Sequence, residues 1–296
     1  MFDIKSFYEA KSVQDAVAAL SADPDSEVIS GGTDVLIRVR EGKDAGMGLV
    51  SIHNIPELKG IYMAEDGTIV IRPATSFSHI TNDPLIKKHL NMLGEAVDQV
   101  GGPQVRNTAT IGGNICNGAT SADSASTMCT LNAVIRLEGP EGTREVPVTE
   151  FYTGPGRTVR KQNEVCTAFM IRREDYEGWE GFYIKYGKRA AMEIATLGCA
   201  VRVKLSLDKK VIEDVRLAYG VAAPTPTRCY EAEDALRGMA VADPAIYDVI
   251  AENALKSVNP RTSWRASKEF RIQLIGELAR RALKKSVILA GGEADA

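Results

Sequence analysis

The sequence predicts an α+β protein in which a mixed strand and helix half precedes a small antiparallel sheet and a group of helices. In the first half, segments with strand and helix periodicity follow one another, whereas beyond residue 181 three alternating segments come before three helical ones. A charged, glycine-bearing stretch, RREDYEGWEG at Arg172–Gly181, separates the halves. We therefore place a domain boundary within it, between domains at 1–176 and 177–290.

Composition is that of an ordinary globular protein and excludes several classes of function. Of 296 residues, 44% are hydrophobic and 25% are charged, and the formal net charge is −3. This balance provides no basic surface for nucleic acid, and no apolar run is long enough to span a membrane. The first residues lack the charge and apolar core of a signal peptide, so we expect a cytoplasmic protein.

The cysteines and histidines indicate neither a disulfide framework nor a metal site. The cysteines are odd in number and form no Cys-x-x-Cys motif, so we expect free thiols and no iron–sulfur cluster in this chain. Three histidines are scattered along the sequence. We therefore predict no metal ligand. The cysteines are Cys116, Cys129, Cys166, Cys199 and Cys229.

The first half begins with a helix that the capping box Ser12–Asp15 starts and an apolar stripe carries to Leu20. Asp66-Gly67 is typical of a hairpin turn. An apolar stripe at helical spacing then predicts one long helix, which Gly101-Gly102-Pro103 ends. The elements after the first helix are predicted as strands at 27–30, 48–52, 61–63 and 69–71, a helix over 85–100, and strands at 133–138 and 144–148.

The second half alternates apolar and polar residues before it changes to helical spacing. Asp208-Lys209-Lys210 is expected to form the turn between the last two strands. We expect disorder only at Gly291–Ala296. The predicted elements are strands at 181–188, 199–205 and 211–219, and helices at 230–236, 243–256 and 267–289.

The segment TIGGNICNGATSAD at Thr110–Asp123 is the strongest indication of a ligand site. Thr110 and Ile111 are typical of a strand end. Gly112-Gly113 removes two side chains, so that main-chain N–H groups could approach an anion. Asn114 offers an amide and tolerates left-handed backbone.

A second turn of the same kind lies upstream. EVIS at Glu27–Ser30 is a short apolar strand, Gly31-Gly32 forms a sharp turn, and Thr33-Asp34 begins a helix. Two such turns at strand ends suit the two phosphates of a dinucleotide. Alternatively, each is only a tight turn, and neither matches the G-x-G-x-x-G pattern of nicotinamide-binding folds.

Taken together, GGTDVL at Gly31–Leu36 and QVRNTATIGGN at Gln104–Asn114 resemble the FAD-binding subunit of molybdenum hydroxylases, which include carbon monoxide dehydrogenase. The resemblance continues through VAAPTPTRC at Val221–Cys229 and SWRASKEFR at Ser263–Arg271, and is strongest to the FAD subunit of bacterial xanthine dehydrogenase. It implies a two-lobed FAD-binding domain of the PCMH type, followed by a carbon monoxide dehydrogenase flavoprotein-type domain with a small antiparallel sheet and a C-terminal helical bundle.

The resemblance also implies which residues contact FAD. The first stretch would wrap the pyrophosphate and the neighbouring sugar, and the second would reach phosphate and the flavin side chain. The implied contacts are Glu27, Val28, Ile29, Ser30, Gly31, Gly32, Thr33, Asp34, Thr110, Ile111, Gly112, Gly113, Asn114, Asp123, Cys166 and Lys185.

Several of these positions have alternative interpretations. Asp123 matches a residue that hydrogen-bonds the flavin or ribityl group, but it could equally cap a helix. Cys166 stands where the family usually has an aliphatic residue at the adenine end, so that a backbone contact is expected there. Lys185 matches a lysine that lies against the cofactor, although a strand lysine could point to solvent. Arg189–Ala195 matches a loop beside the isoalloxazine ring, which Ile194 could cover.

The function implied by the resemblance is electron transfer. Electrons from a molybdopterin-binding large subunit would pass through an iron–sulfur small subunit to FAD, which would reduce NAD⁺ by hydride transfer. We assign no catalytic acid–base residue, because hydride transfer depends on positioning. The alternatives are the same role in a sibling hydroxylase for nicotinate, an aldehyde, carbon monoxide or an aromatic thioester, a self-contained flavin oxidoreductase, and a scaffold without FAD.

Overall fold

The computed structural model describes residues 3–293, and its first lobe is a small parallel sheet. Three strands lie in the order β1-β3-β2, with both neighbouring pairs parallel. Ser12 starts the first helix as predicted, since its hydroxyl accepts from the N–H of Asp15. The elements are β1 (Ile4–Glu9), α1 (Val13–Ala22), β2 (Ser26–Ile29), α2 (Val35–Arg40) and β3 (Met47–Ser51).

The second lobe is a five-stranded antiparallel sheet covered by short helices. Its strands lie in the order β4-β5-β10-β6-β7, and one continuous apolar core joins sheet and helices. Its sheet strands are β4 (Ile61–Met63), β5 (Ile69–Ile71), β6 (Val134–Gly139), β7 (Gly142–Pro147) and β10 (Val165–Ile171). Its helices are α3 (Phe77–Asn82), α4 (Pro84–His89), α5 (Asn91–Asp98), α6 (Pro103–Thr108), α7 (Ile111–Cys116), α8 (Asp123–Thr130) and α9 (Val148–Phe151), and a two-stranded ribbon comprises β8 (Tyr152–Gly154) and β9 (Arg157–Thr158).

The C-terminal part is a four-stranded antiparallel sheet with helices packed on it. The last helix is 22 residues long and lies against the first two strands of this sheet. A second apolar core fills the space between sheet and helices. The elements are β11 (Glu180–Tyr186), β12 (Leu197–Leu205), β13 (Ile212–Gly220), β14 (Thr227–Arg228), α10 (Tyr230–Leu236), α11 (Ala245–Ala254) and α12 (Lys268–Leu289).

The charged stretch between the two halves is packed against both of them. Asp175 is buried, and its carboxylate accepts from Asn132 Nδ2 and Arg216 Nη2, each at 2.8 Å. Helix α8, buried along its whole length, also contacts β12 and β13. Because a buried carboxylate with two charge-assisted partners resists separation, these contacts hold the halves in one arrangement.

The predicted fold class is confirmed, but some elements differ. Strand β1 was not predicted. The single helix expected over 85–100 is two helices, because Leu90 leaves the helical region at φ −132° and ψ 35°. Thr110 and Ile111 do not end a strand, since Thr110 makes one isolated bridge to Ser76 and caps α7. Of the residues expected to be disordered, 294–296 lie outside the described range.

Candidate functional site

Both Gly-Gly turns line one cleft with a cavity volume of about 420 Å³, a size typical of small-molecule sites. Most of the residues predicted to contact a cofactor line it. Ile29 and Ile111 do not line it, and both side chains are buried. Those that do are Glu27, Val28, Ser30, Gly31, Gly32, Thr33, Asp34, Thr110, Gly112, Gly113, Asn114, Asp123, Cys166 and Lys185.

The turn after β2 presents main-chain donors to the cleft. Within residues 3–293, no acceptor bonds the N–H groups of Gly31–Asp34. Gly32 has a φ of +70°, which glycine adopts without strain, and a Cβ on Gly31 would lie 2.0 Å from the carbonyl oxygen of Thr108. The turn can therefore exist only with glycine here, and its successive free N–H groups form an anion-binding concavity.

The second turn is built differently from the sequence-based expectation. The N–H of Gly112 donates to the carbonyl of Pro73 at 2.8 Å, and that of Gly113 to Thr110 Oγ1 at 3.1 Å. A Cβ on Gly112 would lie 2.6 Å from Pro73 Cβ. The expected reason for these glycines, N–H groups free to meet an anion, is thus wrong for this structure. Gly112 is required because α7 packs tightly against Pro73.

A buried ion pair lies where the two halves meet at the cleft. Lys185 Nζ donates to Asp123 Oδ2 and to the carbonyl of Gln99, each at 2.8 Å, and Tyr183 Oη donates to Asp123 Oδ1 at 2.7 Å. Burial raises the pKa of Asp123 although Lys185 opposes the shift. Both alternative interpretations are therefore wrong: Asp123 does not cap α8, and the ammonium of Lys185 is enclosed.

Two arginines that line the cleft were missed by the sequence analysis. Arg38 bonds Asn117 Oδ1 at 2.9 Å and Glu27 Oε2 at 3.2 Å, and it also pairs with Asp44. Arg160 Nη2 lies 3.7 Å from Glu27 Oε1. Arg38 lies one helical turn beyond Asp34, and this spacing could have indicated that the two side chains share a face of the helix. Arg160 lies far along the chain, so nothing local pointed to it.

The loop predicted to lie beside a flavin ring contributes its tip to the cleft. Met192, Glu193 and Ile194 line it, and the two apolar side chains are 65% and 51% exposed. The guanidinium of Arg189 donates to the carbonyl of Met192 at 2.7 Å, which closes the loop on itself. The result is an exposed apolar surface that borders the cleft.

Two features are absent from residues 3–293. No group of three or more histidine, cysteine, aspartate or glutamate side chains is placed to hold a metal ion. None of the helices in this range is both long and apolar enough to cross a membrane.

Family models match both parts of the chain. One described as the FAD binding domain in molybdopterin dehydrogenase matches residues 2–172, and one described as the CO dehydrogenase flavoprotein C-terminal domain matches residues 182–286. The chain therefore belongs to the FAD-binding subunits of the molybdenum hydroxylase family.

Individual relatives match most of the chain. The xanthine dehydrogenase FAD-binding subunit of Escherichia coli O157:H7 is 42% identical over 293 residues, covering 99% of each chain. The nicotinate dehydrogenase FAD-subunit of Eubacterium barkeri is 32% identical over 237 residues, covering 78% of this chain and 79% of that one. A structure of carbon monoxide dehydrogenase from Hydrogenophaga pseudoflava aligns with a TM-score of 0.91 at 29% identity, covering 98% and 99%.

The chemistry of the cleft fits FAD. Free N–H groups at Gly31–Asp34 are donors for a phosphate, and Ser30 Oγ is buried without a hydrogen-bond partner among the described residues, so it can bond a phosphate or sugar oxygen. Lys185 also lines the cleft, where its ammonium is paired with the carboxylate of Asp123. The cleft thus offers donors for an anion and a fixed polar pair to one ligand.

Proposed function

We propose that this chain is the FAD-binding electron-transfer subunit of a xanthine dehydrogenase, and that it passes hydride from FAD to NAD⁺. The observation that carries the proposal is the 42% identity to a xanthine dehydrogenase FAD-binding subunit across 99% of both chains, combined with a cleft whose free donors suit a dinucleotide. Bound FAD would supply the chemistry by accepting electrons and releasing two of them as hydride.

In this proposal, the Gly31–Asp34 turn holds the pyrophosphate and Asp123 with Lys185 holds the flavin end. The two salt-bridged side chains are 6% and 9% exposed, so their geometry is fixed before the ligand binds. The ion pair carries no net charge, so its proposed role is to hold polar groups in a fixed position beside the flavin. Proton transfer by a side chain is not required.

The Arg189–Ala195 loop is the proposed contact for nicotinamide. Its exposed Met192 and Ile194 form an apolar lip at the cleft mouth, where a nicotinamide ring could stack on the flavin. The sequence lacks G-x-G-x-x-G, so NAD⁺ binding should depend on the flavin surface rather than on a separate dinucleotide site.

We further propose two partners, an iron–sulfur small subunit and a molybdopterin-binding large subunit. The described residues contain no cluster or metal ligand set, whereas hydroxylation of a purine needs both centres. The domain boundary between 176 and 177 belongs to the same proposal, since the two family matches end and begin at 172 and 182.

The test uses the purified chain reconstituted with FAD under anaerobic conditions. We expect NADH to reduce an artificial dye through the flavin, and xanthine alone to leave the flavin oxidised. Adding the two partner subunits should connect xanthine to NAD⁺ reduction. Flavin bleaching by xanthine without partners would overturn the subunit assignment in favour of a self-contained oxidoreductase, and failure to bind FAD would favour a scaffold.

A second candidate is the same role in a nicotinate hydroxylase, which the 32% identity to a nicotinate dehydrogenase FAD-subunit favours. The substrate would be selected by the large subunit. Parallel assays of the complete complex with xanthine and nicotinate distinguish the two candidates.

A further inference from the structure

A second cavity, separate from the cleft, lies where α4 and α5 meet the segment that joins the two halves. Its volume of about 380 Å³ is also typical of small-molecule sites. Its walls include residues 87–93, residues 176–181 and Arg202, and it shares no lining residue with the cleft. The proposed FAD site therefore leaves this cavity without a role.

Arg202 is a buried cation in the wall of this second cavity. The residue is 3% exposed, and its Nη1 donates to the carbonyl of Asp175. Within residues 3–293, no ion pair includes Arg202. Burial lowers the pKa of Arg202 to about 9, so the guanidinium is still charged at neutral pH. Because a buried charge without a counter-charge costs free energy, an anion in the cavity would stabilise it.

The two arginines nearest in the fold are neutralised, in contrast to Arg202. Arg216 Nη2 lies 2.8 Å from Asp175 Oδ1, and Arg228 Nε lies 2.7 Å from Glu233 Oε1. All four of these side chains are at least nine-tenths enclosed. Both carboxylates of the network are thus already paired, and the guanidinium that lacks one is the one that lines the second cavity.

The N-terminus of α5 opens onto the same cavity. Leu90, Asn91 and Met92 line it, and no side chain caps the helix, which is eight residues long. The amide of Asn91 donates to Glu95 instead. Within residues 3–293, the N–H groups of Asn91 and Met92 have no hydrogen-bond acceptor. Free N–H groups and the positive end of the helix dipole both favour an anion here.

The charges around the cavity are mostly positive. Lys87 and Lys88 line it and are exposed. Glu177 also lines it, but its carboxylate is paired with Arg173 at 2.7 Å. Glu180 is therefore the one lining carboxylate within residues 3–293 that no ion pair includes. Two ammonium groups and a buried guanidinium outnumber it.

We propose that the second cavity binds the phosphate group of a small ligand, through Arg202, the first N–H groups of α5, and Lys87 with Lys88. A guanidinium fork beside a helix N-terminus matches the oxygens of phosphate. The cavity has room for more than a phosphate ion, so a phosphate monoester with a small organic part fits it. This site shares no residue with the cleft and does not rest on the proposed function.

The experiment measures binding to the full chain by calorimetry and thermal melts at constant ionic strength. The probes are inorganic phosphate and ribose 5-phosphate, with ribose as the uncharged control. Both phosphates should raise the melting temperature and ribose should not. Tighter binding of the ester identifies an organic phosphate as the ligand, and equal binding identifies the free ion. Repeating the titration with FAD bound removes the Gly31–Asp34 turn as a competing phosphate site.

Three variants assign the binding to this cavity. Arg202→Met should weaken phosphate binding at least about tenfold, because charge-assisted hydrogen bonds are lost. Glu180→Gln removes the opposing charge and should strengthen binding about two- to fivefold. Lys59→Gln is the matched control, since Lys59 is exposed and lines neither the second cavity nor the cleft. Its affinity should equal that of wild type.

Two results would overturn the proposal. One is the absence of phosphate binding, and the other is binding that neither Arg202→Met nor Glu180→Gln alters. If Arg202→Met does not fold, Lys88→Gln replaces it and should weaken binding about two- to fivefold, opposite in sign to Glu180→Gln. Phosphate binding that depends on Arg202 in a chain unable to bind FAD would leave this site standing while the cofactor assignment fails.

Discussion

Replacing Gly112 by alanine should destabilise the chain, whereas the same change at Gly113 should not. An added Cβ at residue 112 would lie 2.6 Å from Pro73 Cβ and 2.7 Å from its carbonyl oxygen. The nearest atom to a Cβ at residue 113 would be Thr110 Oγ1 at 3.2 Å. The two positions are adjacent in one helix, so each variant is a control for the other.

The magnitude follows from the contacts that must move. Overpacking against backbone costs about 1–3 kcal/mol. A shift of α7 also lengthens the bond from the Gly112 N–H to Pro73, now 2.8 Å, which contributes about 1 kcal/mol. Replacing glycine by alanine inside a helix gains up to about 1 kcal/mol at either position. We therefore expect Gly112→Ala to lower the free energy of unfolding by about 2 kcal/mol. At Gly113, the same gain offsets the cost of the small displacement of Thr110.

The assay is urea denaturation of the flavin-free chain, with FAD affinity measured separately by fluorescence. Gly113→Ala should keep its stability and weaken FAD binding, because Gly113 lines the cleft. Equal unfolding free energies for the two variants would refute the packing argument. Unchanged FAD affinity in Gly113→Ala would remove Gly113 from the proposed site.

Three further predictions follow. Asp123→Asn leaves the buried Lys185 without a counter-charge and should lower the free energy of unfolding by about 3 kcal/mol in urea or thermal melts. Tyr183→Phe removes only a hydrogen bond to Asp123 and should cost about 1 kcal/mol. Equal losses in the two variants would show that the charge of Asp123 does not stabilise the fold. Burial raises the pKa of Glu164, but its bonds to Arg144 and to the N–H of Lys161, together with the charges of both residues, outweigh burial and hold that pKa below the ordinary 4.5. The stabilisation that ionised Glu164 provides is thus present above about pH 4.5 and is lost as pH falls through the folded-state pKa. The unfolding free energies of wild type and Glu164→Gln, measured in urea, should therefore converge in acid. A difference between them that stays constant with pH would contradict this prediction. NADH should bind only the FAD-loaded chain, as calorimetry can measure, and tight binding to the flavin-free chain would reveal an independent nucleotide site.

The order of elements could be predicted because it depends on local signals. The capping box at Ser12, the hairpin turn at Asp66-Gly67 and the alternating strands after residue 181 all have the expected structures. The long helix over 85–100 was predicted wrongly because its apolar spacing continues through Leu90, where the backbone turns. Strand β1 is mostly exposed, so it lacks the apolar alternation that indicates a strand.

The sequence by itself indicated the two Gly-Gly turns, at Gly31-Gly32 and Gly112-Gly113, because paired glycines are a local signal. Only the tertiary structure decided which turn has free N–H groups, since Pro73 occupies one donor of the second turn. It also decided that Asp123 meets Lys185. Local conformational preference is encoded within a few residues, whereas these contacts join segments tens of residues apart and depend on how the lobes pack.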